Sequence, residues 1–381
     1  MKRILTVVVL VGLVLILSDL STRIWGGKDE HGGGEKKWVL QMDMTVAQFG
    51  KANGLPNPML KKAFELQSKQ DLQKPLSAFG LTEEQVRAKA SKFSALAAEH
   101  GSKNWQKILI KFGLWFVWLA AILAGLRKGL VTEKNRSWLL LVAVVLFGVI
   151  LGSDPSPMGT VKDAIVLYAR DRAVFPPRMI AFGVFMLLVI LANKLICSWG
   201  CQLGTLQDLL FRIMQRKTGT AVIKPAKLTF AVTNTIRIFF LAVFTGVVFK
   251  MGFDIIGTID PFKIFNPKML GWSGGIFVAV VLIASCIVYR PWCHLFCPFG
   301  LVGWLGEKIS VFRIRIDRDT CTDCKACVKA CPSNVMDSYL EKKAPAPDCF
   351  ACGACIETCP VKAISFAAKT PTGTGPSDVT E

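Results

Sequence analysis

Residues Cys321–Pro332 read CTDCKACVKACP, and residues Cys349–Pro360 read CFACGACIETCP. Both follow C-x2-C-x2-C-x3-C-P, the second run starting 28 residues after the first. Soft thiolates in runs of four suit iron–sulfur chemistry. Zinc sites use four ligands, commonly as two C-x2-C-like pairs, rather than two runs of four. Disulfide pairing leaves the proline after each fourth cysteine without a reason. The spacing therefore predicts two [4Fe-4S] centres.

Where two such runs share a domain, the fourth cysteine of each ligates the other centre. One centre then takes Cys321, Cys324, Cys327 and Cys359, and the second takes Cys349, Cys352, Cys355 and Cys331. Residues 312–368 are expected to form an α+β domain of the bacterial 2[4Fe-4S] ferredoxin type, followed by a flexible tail at 369–381.

The rest of the chain is of another kind. Its 381 residues are 52% hydrophobic, with a mean hydropathy of +0.44. Such values with long uncharged runs indicate an α-helical polytopic membrane protein. The formal charge of +19 invites a nucleic-acid reading. The Lys and Arg are scattered over loops and termini, however, and no basic helix with base-reading side chains is present. Nucleic acid is excluded as a partner, and the lipid bilayer takes its place.

At the start, Lys2 and Arg3 precede the apolar run Ile4–Leu17. Residues 1–25 read as a membrane anchor or a signal peptide. The early Asp19 and the missing A-x-A site favour the anchor. Residues 26–104 form an exported small helical domain, opened by the Gly-rich stretch Gly26–Gly34. Two capping boxes, Thr45-x-x-Gln48 and Thr82-x-x-Gln85, start its helices. A docking surface and a spacer are equal readings of it.

Five further spans are expected at 108–126, 137–153, 179–196, 228–249 and 274–289, about six in all. Residues 105–136 supply the second span and a basic link carrying Arg127, Lys128, Lys134 and Arg136. Residues 137–311 supply a four-helix membrane core. The link at 197–227 adds Arg212, Arg216, Lys217, Lys224 and Lys227 against one acid. The Lys/Arg bias puts these links and the ferredoxin domain in the cytoplasm, and residues 26–104 in the periplasm or outside the cell. Thirteen cysteines in an iron–sulfur framework also favour a reducing compartment.

Within the core the chain repeats itself. One copy runs helix, Asp154-Pro155, helix, CSWGCQLGTL (Cys197–Leu206); the other runs helix, Asp260-Pro261, helix, CHLFCPFGLV (Cys293–Val302). Each ends in an amphipathic stretch suited to lying along the membrane interface. Two spans separate the motifs, so both fall on one membrane face. Residues i and i+4 share a helix face. Cys197, Cys201, Cys293 and Cys297 are thus expected to converge at the cytoplasmic mouth. A further iron–sulfur cluster, another soft metal, a dithiol/disulfide couple and four unmetallated packed thiols all remain open. Cys286, alone in its span, reads as an inert packed thiol.

Paired C-x3-C motifs after transmembrane helices, the loop IDPFKIFNP and the C-terminal 2[4Fe-4S] domain together resemble a known group. It is the membrane ferredoxin family of periplasmic nitrate reductase accessory proteins, with the membrane parts of nitrous-oxide reductase regulators and cytochrome-oxidase maturation proteins. The likeness covers residues 137–368, about sixty per cent of the chain. It departs from the family pattern at Gln202, where a proline is usual.

The resemblance implies a bacterial inner-membrane protein passing electrons between the quinone pool and a redox partner protein. Arg237, a charge in mid-span, is the candidate for holding a quinone carbonyl or pairing with an acid, with snorkelling or bonding to backbone carbonyls as the plain alternative. Asp260 and Lys263 are candidates for proton handling, with a structural turn at Asp260-Pro261 as the plain alternative. No axial histidine set, C-x-x-C-H motif or G-x-G-x-x-G fingerprint is present, so haem and dinucleotide chemistry are not expected. A maturation reductase handling a soft metal such as copper, and a membrane redox sensor, are the competing functions.

Overall fold

The structure, a computed structural model, describes residues 2–25, 38–215, 225–341 and 348–368. The expectations for Gly26–Gly34, for Arg216, Lys217 and Lys224, and for the tail at 369–381 lie outside the described residues.

Among the described residues, three helices are long and apolar enough to cross a membrane: α1 (Lys2–Trp25), α5 (Trp105–Arg127) and α10 (Phe230–Met251). Helix α1 outruns the apolar stretch because Asp19 pairs with Arg23 one turn on, at 2.7 Å, and the helix continues. It is also built into the bundle. Arg3 Nη1 donates to Met214 O at 3.1 Å, Ser21 Oγ donates to Ile150 O at 3.0 Å, and Val14 and Ser18 are buried.

The other expected spans are shorter. The run at 137–153 becomes α6 (Glu133–Ala143) continued by a π-helical segment, Val144–Ile150. Its Gly148 admits the Phe265 ring, which a Cβ would meet at 2.4 Å. Helices α8 (Pro176–Ala192) and α12 (Trp272–Ser285) have 17 and 14 residues.

Between α1 and α5 lies the small helical domain, with α2 (Val46–Asn53), α3 (Asn57–Ala63) and α4 (Glu83–Ser102). Both capping boxes form, and Gly54 ends α2 at φ 67°. Its own core gathers Val46, Phe49, Leu60, Leu76 and Val86. Helix α7 (Pro157–Asp171) packs on α8 and α4, and α11 (Ile255–Ile259) follows α10.

Helix α9 (Gln202–Gln215) differs from its expected interfacial place. Every residue from Gln202 to Phe211 is buried, packed against α1, α6 and α12. The polar side that made this stretch look amphipathic is Asp208 with Arg212, a pair closed at 2.7 Å inside the protein. In the second repeat, α13 (Pro291–Leu295) and α14 (Pro298–Glu307) follow α12.

The ferredoxin domain begins at β1 (Phe312–Ile316) and ends at β2 (Ile364–Ala368). The two pair antiparallel, from Phe312↔Ala368 to Ile316↔Ile364. Between them lie α15 (Ala326–Ala330), α16 (Met336–Leu340) and α17 (Ala354–Thr358), with α15 against α17. The domain sits on the helix ends of the core. Arg136 Nη2 donates to Glu357 Oε2 at 3.3 Å, and a Cβ on Gly353 would meet Leu126 at 2.5 Å.

Candidate functional site

The ferredoxin domain repeats its backbone as well as its cysteines. Asp323, Lys325 and Asn334 have φ of 49°, 55° and 56°; Ala351, Gly353 and Lys362 have 49°, 80° and 55°. The second trio stands 28 residues after the first. Left-handed φ is costly for most residues and persists where surroundings impose it. Matched reversals wind both cysteine runs the same way.

Cys321, Cys324, Cys327 and Cys359 line one partly open pocket, with Leu340, Val361 and Ile364 among its other walls. The Ala363 N–H donates to Cys359 Sγ at 3.3 Å. Of the other four, Cys331, Cys349 and Cys355 are buried and Cys352 is half-buried. Burial pushes the Cys331, Cys349 and Cys355 thiols up, and neighbouring cysteines add to the effect. Thiols so placed ionise against the positive charge of a metal rather than toward water. Cys355 also lies within electrostatic reach of Cys327, which sets the two quartets side by side.

The C-x3-C motifs meet as well. Cys197 is within electrostatic reach of Cys201 and Cys293, Cys293 of Cys297 and Cys201, and Cys297 of Cys201 and Cys197. All four are buried. Cys201 directly precedes α9 and Cys297 directly precedes α14. Cys201 Sγ accepts from the N–H groups of Leu203 and Gly204, and Cys297 Sγ from that of Gly300. The positive ends of two helices therefore face the group.

This meeting point is packed within the protein, on the side of the bundle where the ferredoxin domain sits. Trp115, near the middle of α5, donates from Nε1 to Gly200 O at 2.9 Å, and Trp118 donates to Trp199 O at 2.8 Å. The motif enters the bundle because α9 is itself a core helix. Gln202, standing where the family has proline, donates to Ser153 O at 2.5 Å and ties the motif to the turn just after the π-helical segment Val144–Ile150.

Among the described residues, no three Cys, His, Asp or Glu side chains lie close enough to share a single metal ion. Thiolates on one zinc, each about 2.3 Å from it, must nearly touch. A cubane spreads its four ligands over four irons, so the quartets suit a multi-iron cluster better than a lone ion.

Charged side chains frame the membrane motifs. Arg290, at φ 49°, donates from Nη1 to Cys197 O at 2.7 Å and from Nη2 to Ser198 O at 3.1 Å. Its counter-ion is Asp208, at 2.7 Å, which also accepts from Tyr289 Oη at 3.1 Å. Arg237 is fully buried, and its guanidinium is committed to protein: Asp348 Oδ2 at 2.7 Å, Asn234 Oδ1 at 3.0 Å and Cys293 O at 3.4 Å. Lys194 pairs with the other oxygen of Asp348 and donates to Gly300 O at 2.9 Å. Burial alone would push the Asp348 carboxyl up; Lys194 and Arg237 outweigh it and hold it low.

Asp260 keeps its partners in its own loop, accepting from the Phe262 N–H at 2.9 Å, while Lys263 donates to Gly257 O at 2.6 Å. Burial pushes Asp260 up to about 7, against the pull of Lys162. No hydrogen bond or ion pair joins it to Arg237 among the described residues. Sequence reading passed over Lys194, Arg290, Asp208 and Asp348. One signal was available: a cation stands three residues before each first cysteine, in NKLIC and YRPWC.

A family model described as a 4Fe-4S dicluster domain matches residues 313–360, and one described as a 4Fe-4S binding domain matches twice, at 174–221 and 270–317. The chain is 28% identical over 172 residues to the protein YccM of Escherichia coli strain K12, covering 43% of this chain and 48% of that one. It is 25% identical over 181 residues to the ferredoxin-type protein NapH of the same organism, 44% and 59% of the two chains. The methylamine utilization ferredoxin-type protein MauN of Paracoccus denitrificans is 27% identical over 151 residues, 39% and 51%. The chain thus spans about half the length of the curated relatives it matches. No solved structure matches. With a dicluster match on its ferredoxin domain and a 4Fe-4S match on each membrane repeat, the chain is similar to the polyferredoxins NapH, MauN and YccM.

Proposed function

We propose that this chain is a membrane electron-transfer protein, passing electrons between the quinone pool and a redox partner. Cys321, Cys324, Cys327 and Cys359 would hold one [4Fe-4S] cluster and Cys349, Cys352, Cys355 and Cys331 the second. Cys197, Cys201, Cys293 and Cys297 would hold a further one. Bound clusters supply one-electron redox centres; the chain supplies thiolates, positive helix ends and shelter from water. The observation that carries this reading is the convergence of all four membrane cysteines beside the second ferredoxin quartet. Its frame is six spans, with the ferredoxin domain cytoplasmic, 26–104 exported, and Asp260 and Lys263 serving proton exchange at the outer side.

Support also comes from the relatives, two of which carry ferredoxin-type names. The test is anaerobic purification followed by iron analysis, redox-titrated EPR and mixing with a quinol analogue. About twelve irons per chain and reduction by the quinol bear the proposal out. A folded, iron-free protein ends it. Loss of copper reduction, rather than iron, from a Cys197/Cys201/Cys293/Cys297 variant transfers the chain to soft-metal handling.

A further inference from the structure

The two membrane repeats differ in how they neutralise their cations. Lys194 and Arg290 stand at the same place, three residues before Cys197 and Cys293. Each reaches across to the other repeat, Lys194 to Gly300 O and Arg290 to Ser198 O. Arg290 finds its carboxylate on α9, at Asp208, eleven residues after Cys197. Eleven residues after Cys293 the chain has Trp304 instead. Lys194 has Glu307, at the end of α14, only at 3.9 Å, and its close carboxylate comes from outside the repeat, from Asp348 in the ferredoxin domain.

Asp348 brings its neighbours with it. Phe350, 2% exposed, lies between the two motifs. Its ring has Lys194 and Arg290 over it at 5.2 and 5.1 Å, and meets His294 edge-on at 4.9 Å. Ser198 Oγ donates to Phe350 O, and Trp199 Nε1 donates to Ala351 O at 3.2 Å. Glu307, at the end of α14, accepts from the Cys349 N–H at 2.8 Å. Both motif loops therefore rest on Asp348–Ala351.

We propose that the ferredoxin domain completes the four-cysteine membrane site, with Asp348 and Phe350 as its positioning residues. Asp348 supplies the close counter-charge of Lys194, to which the second repeat offers only the longer contact of Glu307 at 3.9 Å. Phe350 props the two motif loops at the separation their cysteines need. The inference rests on the cluster reading above, yet it fails separately from it.

The test uses the full-length protein, purified anaerobically and reduced with dithionite, as wild type and as Asp348→Asn, Phe350→Ala and Phe350→Leu. Readouts are iron per chain and the EPR spectrum. Phe350→Ala and Asp348→Asn should lose about a third of the iron, the share of one cluster in three, while the spectrum of the ferredoxin pair survives. That survival reports a folded domain. Phe350→Leu, which keeps most of the apolar bulk, should retain the iron. If Asp348→Asn does not fold, the two Phe350 variants decide. Full iron and an unchanged spectrum in Phe350→Ala overturn the inference. A wild type that loses no iron on Cys293→Ser/Cys297→Ser substitution overturns instead the cluster reading beneath it.

Discussion

Gly204 and Gly300 each press a bare α-carbon against the carbonyl of a cysteine seven residues earlier. A Cβ would stand 2.4 Å from Cys197 O at the first and 2.7 Å from Cys293 O at the second. Neither has an unusual φ, so the requirement is one of space. Through these contacts α9 and α14 return close enough to cap Cys201 and Cys297 with backbone N–H groups.

Gly204→Ala and Gly300→Ala should therefore each act on the membrane site first. Forcing a methyl into packed backbone costs about 1–3 kcal/mol. The expected result is a lower melting temperature in detergent and reduced iron, with the ferredoxin pair's EPR signal intact. Gly183→Ala is the control, because a Cβ there meets nothing within 4 Å.

Cys359 belongs to the second run by sequence but lines the pocket of the first. Cys359→Ala should therefore abolish the EPR signal of the centre built on Cys321, Cys324 and Cys327, and spare its neighbour. Loss of the other signal alone would show that each run ligates only its own centre.

Asp260 introduces a pH dependence. Its folded value near 7, set by burial, exceeds the ordinary carboxylate value of 3.8. The folded state thus prefers the protonated group. The associated stability is present below the ordinary value and is lost as pH rises toward the folded one. Facing Asp260 are Lys162, which pulls against the shift, Asp163, which adds to it, and Lys263. Melting temperature should fall between pH 5 and pH 7.5 in the wild type. Asp260→Asn, which keeps an acceptor for the Phe262 N–H, should flatten that slope. An unchanged slope would assign the dependence to other groups.

The ferredoxin domain was legible because its signal is local: ligand spacing and a proline at a fixed offset dictate the winding of each run. The repeat was legible for the same reason. The packing of α9 was not. Hydropathy places Cys197 at the end of a span but does not say whether α9 leaves the bundle or stays within it. That choice rests on Asp208 finding Arg290 and Arg212, pairings between residues up to 82 positions apart. Arg237 shows the same limit. A buried charge announces that it has a partner, but nothing near it in sequence points to Asp348.

The short connection after α14 sets how the ferredoxin domain can serve a partner. The Val311 N–H donates to Ile190 O at 2.7 Å and Ser310 is buried, so β1 starts directly from the core wall. Such a domain is not a carrier that swings on a tether between donor and acceptor. Its place against the interior is fixed at folding, and the most accessible of its thiols, Cys324, marks its solvent-facing edge.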